Sequence, residues 1–168
     1  MSTYDWLMDQ LERRQARFRL IDHVPEGRTE PASVLRGHAL AQAAKCLVVR
    51  VATGRRSRRY VLAVVPGDRK VDLEELRDMY AGTEASFAAR DVAERLAGSV
   101  SGSVMPFARH PELDLVADPE LLAHDEIFFN AARLDRSVAL ATDDYVAMAL
   151  PRVRPIAQRP LAQSTTGG

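Results

Sequence analysis

Cys46-Leu-Val-Val-Arg-Val51 and Tyr60-Val-Leu-Ala-Val-Val65, separated by a segment that holds Thr53-Gly54 and then Arg55, Arg56, Arg58 and Arg59, decide how this chain folds. Both runs are rich in β-branched and apolar residues, and Thr53-Gly54 is a turn signal, so the two are expected to form an antiparallel strand pair. Pro66-Gly67-Asp68 closes the second strand. Asp72 then stands where a cap is needed for a helix whose Leu73, Leu76 and Met79 share one face. A similar short helix follows, with Val92 and Leu96 inward, ending at Gly98.

On the N-terminal side, Trp6, Leu7 and Leu11 recur at helical spacing within Tyr4 to Gln15 and predict an amphipathic opening helix. Phe18 to Ile21 reads as a strand and Pro25-Glu-Gly27 as a turn. Glu30 to Leu40 reads as a second helix, with Pro31 tolerated in its first turn. On the C-terminal side, Leu113 to Val116, Glu126 to Asn130 and Ser137 to Ala141 are three more short strands, with Asp118-Pro119 and Leu134-Asp135 at the connections. Thr142 is the expected cap of a last helix, which stops at Pro151.

Strands this closely spaced leave no room for successive βαβ crossovers. The expected class is therefore α+β: a curled, mixed, largely antiparallel sheet, barrel-like, with helices packed around it. No G-x-G-x-x-G follows the first strand, which excludes a dinucleotide-binding reading. One domain is expected over 1–155, with 156–168 a disordered tail whose last residues, Gln163 to Gly168, are polar and small.

Lys+Arg and Asp+Glu each total 23 in 168 residues, so a nucleic-acid partner would have to use a local patch. Cys46 is the only cysteine, which excludes an intrachain disulfide and a multi-thiolate metal site. Met1 to Gln10 does not read as a signal peptide, and no run of 18 apolar residues occurs. A cytoplasmic protein without membrane or DNA partners is expected.

His23, His38, His110 and His124 are scattered, with no pair at i+3 or i+4, so no metal site is expected. His23 stands apart because it ends a strand just before Pro25, where a binding loop can begin. Gly98-Ser-Val-Ser-Gly102 puts Ser101 at the wrong position for a nucleophile elbow. Ser99 to Pro106 instead suits either an ordinary turn or a loop that turns its peptide N–H groups toward a ligand. Lys45, between a helix end and an apolar strand, either snorkels to solvent or projects into a cleft. Arg55, Arg56, Arg58 and Arg59 form either a solvated basic turn or a phosphate-binding one.

Taken together, His23-Val-Pro25, Arg36-Gly-His-Ala-Leu40, Ala43-Ala-Lys45-Cys-Leu47, Ala63-Val-Val-Pro-Gly-Asp68 and Gly102-Ser-Val-Met-Pro-Phe107 resemble, in order, the YbaK/prolyl-tRNA-synthetase-associated domain family, and most closely its freestanding YeaK-like branch. Val116-Ala-Asp118 and Asp125-Glu-Ile-Phe-Phe-Asn-Ala131 continue the likeness, which spans about Phe18 to Leu150.

The resemblance implies a trans-editing hydrolase that cleaves the ester of tRNA mischarged with a small amino acid of the Ser, Thr, Ala or Cys class, without a cofactor. Its implied partners are aminoacyl-tRNA and, as a further candidate, an aminoacyl-tRNA synthetase. Gly102, Ser103, Val104 and Pro106 would form the loop that holds the aminoacyl carbonyl, and Lys45 would contact the phosphate region of the terminal adenosine. His23, Asn130 and Asp135 would line the substrate side, with the substrate's own ribose hydroxyl helping to activate water. The alternative is a non-catalytic tRNA- or synthetase-binding module of the same fold. One departure stands out: the family's Asn-Ala-Gly is here Asn130-Ala131-Ala132, so a positive φ at the third position would fall on a residue with a Cβ.

Overall fold

The computed structural model describes residues 1–159. The two apolar runs form β2 (Ala44–Ala52) and β3 (Arg58–Pro66), antiparallel in the register Lys45↔Val65 through Arg50↔Tyr60. They are the centre of a five-stranded sheet. Its other members are β4 (Glu84–Phe87), antiparallel to β2, and β5 (Leu113–Ala117) and β8 (Arg152–Val153), which continue in parallel beyond β3 in the order β4-β2-β3-β5-β8. A second, antiparallel sheet has the order β1-β7-β6, from β1 (Phe18–Asp22), β6 (Glu126–Asn130) and β7 (Arg136–Ala141).

The class is α+β with mixed strands, as expected, but the sheet does not close into a barrel. The strands divide into two sheets joined by a bridge between Ala43 and Phe128, and β4 pairs with β2 only from Val49 to Ala52. Among the described residues, one edge of β2, over Ala44–Leu47, is therefore left without a strand beside it. β4 itself had no strand signal: Glu84-Ala-Ser-Phe87 lacks β-branched residues, and its conformation comes from the ladder that β2 offers.

The main core lies between the two sheets. Leu7 and Leu11 of α1 (Thr3–Arg13), Leu96 of α4 (Arg90–Ala97), Leu121 of α5 (Pro119–Leu122) and Tyr145 of α6 (Thr142–Ala149) meet Leu62, Val64, Phe129, Val138 and Leu140 there. A smaller core covers the opposite face of the five-stranded sheet, where Leu76 of α3 (Leu73–Met79) packs on Val49, Val51, Val61, Ala63 and Val65. The alternation of β2 thus buries its even-numbered residues on one side and its odd-numbered ones on the other.

Asp72 caps α3, accepting from the N–H groups of Glu74 and Glu75. Thr142 does not act as a cap. It is the first residue of α6, and its hydroxyl is buried with no partner among the described residues. The second helix, α2 (Thr29–Arg36), ends earlier than Leu40 because Gly37 adopts φ +76°, and a 3₁₀ turn over Leu40–Gln42 follows. Residues 156–158, expected in the tail, are tied to the body. Ile156 is buried, Asp118 accepts from the N–H groups of Ile156 and Ala157 at 2.9 and 2.8 Å, and Gln158 N–H donates to the Lys70 carbonyl. The expected disorder of Gln163 to Gly168 lies outside the described residues.

Candidate active site

The unpartnered edge of β2 faces a cavity of about 170 Å³. Its walls are that edge (Ala44 to Leu47, with Lys45), the turn at Gly27, α2 through Ala32 and Arg36, the loop at Gly102 and Val104, and β6 through Phe129 and Asn130. Three stretches of the chain, 27–47, 102–104 and 129–130, meet at this one place. Arg28, Arg36 and Lys45 line it, and among the described residues no carboxylate does.

The Gly102 loop reaches the cavity because of a close backbone approach. Gly102 has φ +89°, and a Cβ there would lie 2.7 Å from Gly27 Cα and 2.9 Å from its carbonyl oxygen. Only glycine satisfies both conditions. Asn130 locks the contact: its Nδ2 donates to the Gly102 and Glu26 carbonyls, both at 2.8 Å, while its Oδ1 accepts from Ser137 Oγ at 2.8 Å and Arg36 Nη1 at 3.2 Å. All four positions of the carboxamide are used inside the protein.

Ser103 is fully buried, and both its N–H and its hydroxyl donate to the Val100 carbonyl, at 3.0 and 2.8 Å. The side chain turns back into its own loop. Pro106 is buried beneath the loop and does not line the cavity. The N–H groups of Gly102 and Val104, both lining residues, make no hydrogen bond among the described residues. They are the loop's available main-chain donors.

Arg36, like Arg28, lines the cavity although the sequence suggested no role for it. As a basic residue in the last turn of a short helix before a glycine, it is indistinguishable in sequence from an ordinary partner of the helix dipole. In the fold its guanidinium is largely buried with no carboxylate partner among the described residues, and burial lowers its pKa to about 10. Neutral groups hold it instead: Nε donates to His38 Nε2 at 2.9 Å, and Nη1 to Asn130 and Ser137. His38, stacked on Phe128 at 3.8 Å, donates from Nδ1 to the Ala39 carbonyl, which leaves Nε2 as the acceptor of a neutral ring. Burial lowers the His38 pKa to about 4.

Lys45 is half-buried. Burial pushes its ammonium pKa below the usual value, with Asp68 opposing and Lys70 reinforcing the shift. Burial raises the Cys46 thiol pKa far above the ordinary range, so Cys46 carries no reactive thiolate although it lines the cavity.

His23 and Asp135 do not line the cavity. His23 sits behind Asn130, its ring nitrogens 2.8 Å from the Val24 carbonyl and 2.7 Å from Ser137 Oγ. Asp135 pairs with Arg133 in the β6–β7 turn, and that pairing lowers its carboxyl pKa. The hairpin arginines lie at the opposite end of β2, seven residues or about 24 Å from Lys45. There Arg59 pairs with Asp114 at 2.7 Å and Arg58 lies over Tyr60, while Arg55 and Arg56 are exposed. Among the described residues no cluster of His, Cys, Asp and Glu could hold a metal ion, and no helix is long and apolar enough to cross a membrane.

Comparison with known proteins places this arrangement in a family. The Multifunctional Ser/Thr-tRNA deacylase ProXp-y of Escherichia coli (strain K12) is 41% identical over 152 residues, 90% of each chain. The crystal structure of hypothetical protein APE2540 has the same fold, with a TM-score of 0.80 at 20% identity over 90% of this chain and 99% of that one. So does that of a candidate trans-editing enzyme for prolyl-tRNA synthetase, with a TM-score of 0.76 at 19% identity over 95% and 99%. The sequence pattern of the aminoacyl-tRNA editing domain matches residues 26–148, which contain every wall of the cavity, and the chain belongs to the aminoacyl-tRNA editing domain family.

Proposed function

We propose that this protein hydrolyses the ester bond of tRNA mischarged with a small amino acid, serine and threonine first, as a trans-editing enzyme of the cytoplasm. The carrying observation is the small cavity in which Lys45 and the Gly102 loop meet on the unpaired edge of β2. About 170 Å³ is well below the ~300–1,000 Å³ of ordinary small-molecule pockets, so it suits an aminoacyl group and excludes a large side chain. The 41% identity to a Ser/Thr-tRNA deacylase supports the same substrate class.

In this reading the aminoacyl carbonyl oxygen faces the free N–H groups of Gly102 and Val104. Water adds to the carbonyl carbon, the negative charge that develops on oxygen is met by these preset dipoles, and the carbon–ribose oxygen bond breaks as the ribose oxygen takes a proton. One well-placed donor contributes ~3 kcal/mol to such a step. An aminoacyl ester is already activated, so a side-chain nucleophile is not needed, and the substrate's vicinal ribose hydroxyl assists the water.

Lys45 offers its charge to the phosphate side of the terminal nucleotide. Since Val48 accepts from Ala88 N–H across the β4 side, strand alternation turns the Cys46 N–H and carbonyl the same way, into the cavity. That carbonyl is an acceptor for the substrate's α-ammonium, which the arginine-lined wall repels. Asn130 acts as a positioning residue, and His23, Ser103 and Pro106 support the walls.

The test is ester loss from labelled Ser-, Thr-, Ala- and Cys-tRNA with the wild type, Lys45→Ala and buffer, with and without the cognate synthetase. Clearance of a small-residue subset by the wild type, reduced at least 100-fold in Lys45→Ala, is the expected result. No loss above buffer while tRNA still binds would establish a non-catalytic module.

A further inference from the structure

We propose that an open groove on the other side of Lys45 seats the terminal nucleoside of the tRNA, with Phe87 as the platform on which its base stacks and Lys70 as a second phosphate contact. The inference rests on the deacylase reading and extends it to a part of the substrate that the cavity cannot hold.

The groove, about 710 Å³, shares Lys45 and Leu47 with the small cavity; Phe87, Lys70 and the start of α3 with Asp72 and Glu74 are among its other walls. The two spaces therefore meet at the side chain that separates them. An aminoacyl ester has an amino acid on one side of its reacting carbon and a nucleoside on the other. With the first in a cavity of about 170 Å³, the second must leave past Lys45, and the groove is where that path leads.

Strand geometry orders the groove. Lys45 and Leu47 lie on one face of β2, and Phe87 pairs with Val49, the next residue on that face. Lys45, Leu47 and Phe87 therefore form a row with Phe87 about 13 Å along the strand from Lys45, comparable to the reach of a nucleoside. Lys70 stands at the Lys45 end: it lines the groove and follows the turn that leaves β3 where Pro66 pairs with Ala44. Phosphate belongs at this end and the base at the other.

Phe87 is 53% exposed, the most open aromatic ring among the described residues, on a short edge strand where burial would be expected of it. An exposed aromatic beside an aliphatic side chain and two lysines is the combination that binds single-stranded nucleotides: a stacking face with a cationic track. Asp72 and Glu74 also line the groove; Asp72 Oδ1 is held by the N–H groups of Glu74 and Glu75 at the start of α3, and the ammonium groups of Lys45 and Lys70 balance the two carboxylates.

The test is steady-state deacylation of the tRNA cleared by the wild type, with Phe87→Ala, Phe87→Trp and Lys70→Ala. Removing a base-stacking ring weakens binding by about 5- to 150-fold. Phe87→Ala is expected to raise KM at least five-fold with a much smaller change in kcat, and Phe87→Trp to restore it. Lys70→Ala should raise KM and reduce the salt dependence of binding by about one phosphate contact. A Phe87→Ala enzyme with wild-type KM, or one that loses kcat instead, overturns the groove assignment alone. A wild type that clears no aminoacyl-tRNA overturns the deacylase reading and the groove with it.

Discussion

The carboxamide nitrogen of Asn130 lies 2.8 Å from the carbonyl oxygen of Gly102, and through it the end of β6 holds the loop that forms one wall of the cavity. The same nitrogen holds the Glu26 carbonyl, so a single side chain sets the separation of two loops. Asn130→Ala leaves several buried groups without partners, at ~1–3 kcal/mol for each left unsatisfied. The expected outcome is a loss of about 2–3 kcal/mol in urea unfolding and a kcat at least ten-fold lower. Asn130→Asp, which sets a carboxylate oxygen against two carbonyls, should do worse than alanine.

Gly102→Ala tests the same contact from the other side. The added Cβ would collide with the Gly27 backbone and must displace the loop. A displacement of about 1 Å at a reacting group costs about 100-fold in rate. Single-turnover deacylation should fall by that order while tRNA binding changes little.

Ala132 has φ +58°, so the departure from the family's glycine falls on a left-handed position. A residue with a Cβ pays ~1–2 kcal/mol there, partly offset because glycine is freer in the unfolded chain. Ala132→Gly should stabilise the protein by about 0.5–1 kcal/mol, read as a higher urea midpoint at constant slope, with deacylation retained.

His38 makes stability depend on acidity. Folded, the ring stays neutral down to about pH 4, chiefly through burial; unfolded, it takes up a proton near pH ~6.5. Between those values the unfolded chain binds more protons, so this contribution is complete above pH ~6.5 and is lost as the pH falls toward 4. Protonation would also remove the acceptor for Arg36 Nε. Urea unfolding at pH 7.5, 6 and 5 should show a steeper decline for the wild type than for His38→Phe, which keeps the ring stacked on Phe128 and cannot titrate.

The hairpin arginines divide by their partners. Arg59 is engaged by Asp114, whereas Arg55 and Arg56 are exposed. If the hairpin reaches the tRNA, Arg55→Ala with Arg56→Ala lowers affinity and flattens the log K against log salt slope by about 1–2. An unchanged slope would show that the hairpin lies outside the interface.

Local chemistry carried most of the elements. The β-branched runs of β2 and β3, the capping Asp72, and the glycine after α4 act through neighbours in sequence, so their effects are legible there. Lys45 and the Gly102 loop were legible for a different reason: their pairing in one family's pattern is specific even though neither alone exceeds an ordinary junction lysine or turn. What sequence could not show depends on long-range pairing. β4 has no intrinsic strand preference and exists because β2 has an edge to offer. That β4 stops pairing at Val49 leaves the Ala44–Leu47 edge open for the cavity. Burial of Arg36 without a carboxylate and saturation of the Asn130 carboxamide require segments about 100 residues apart to meet. Composition and periodicity report what a segment prefers; which groups lose water, and which find a partner, is decided only when the segments pack.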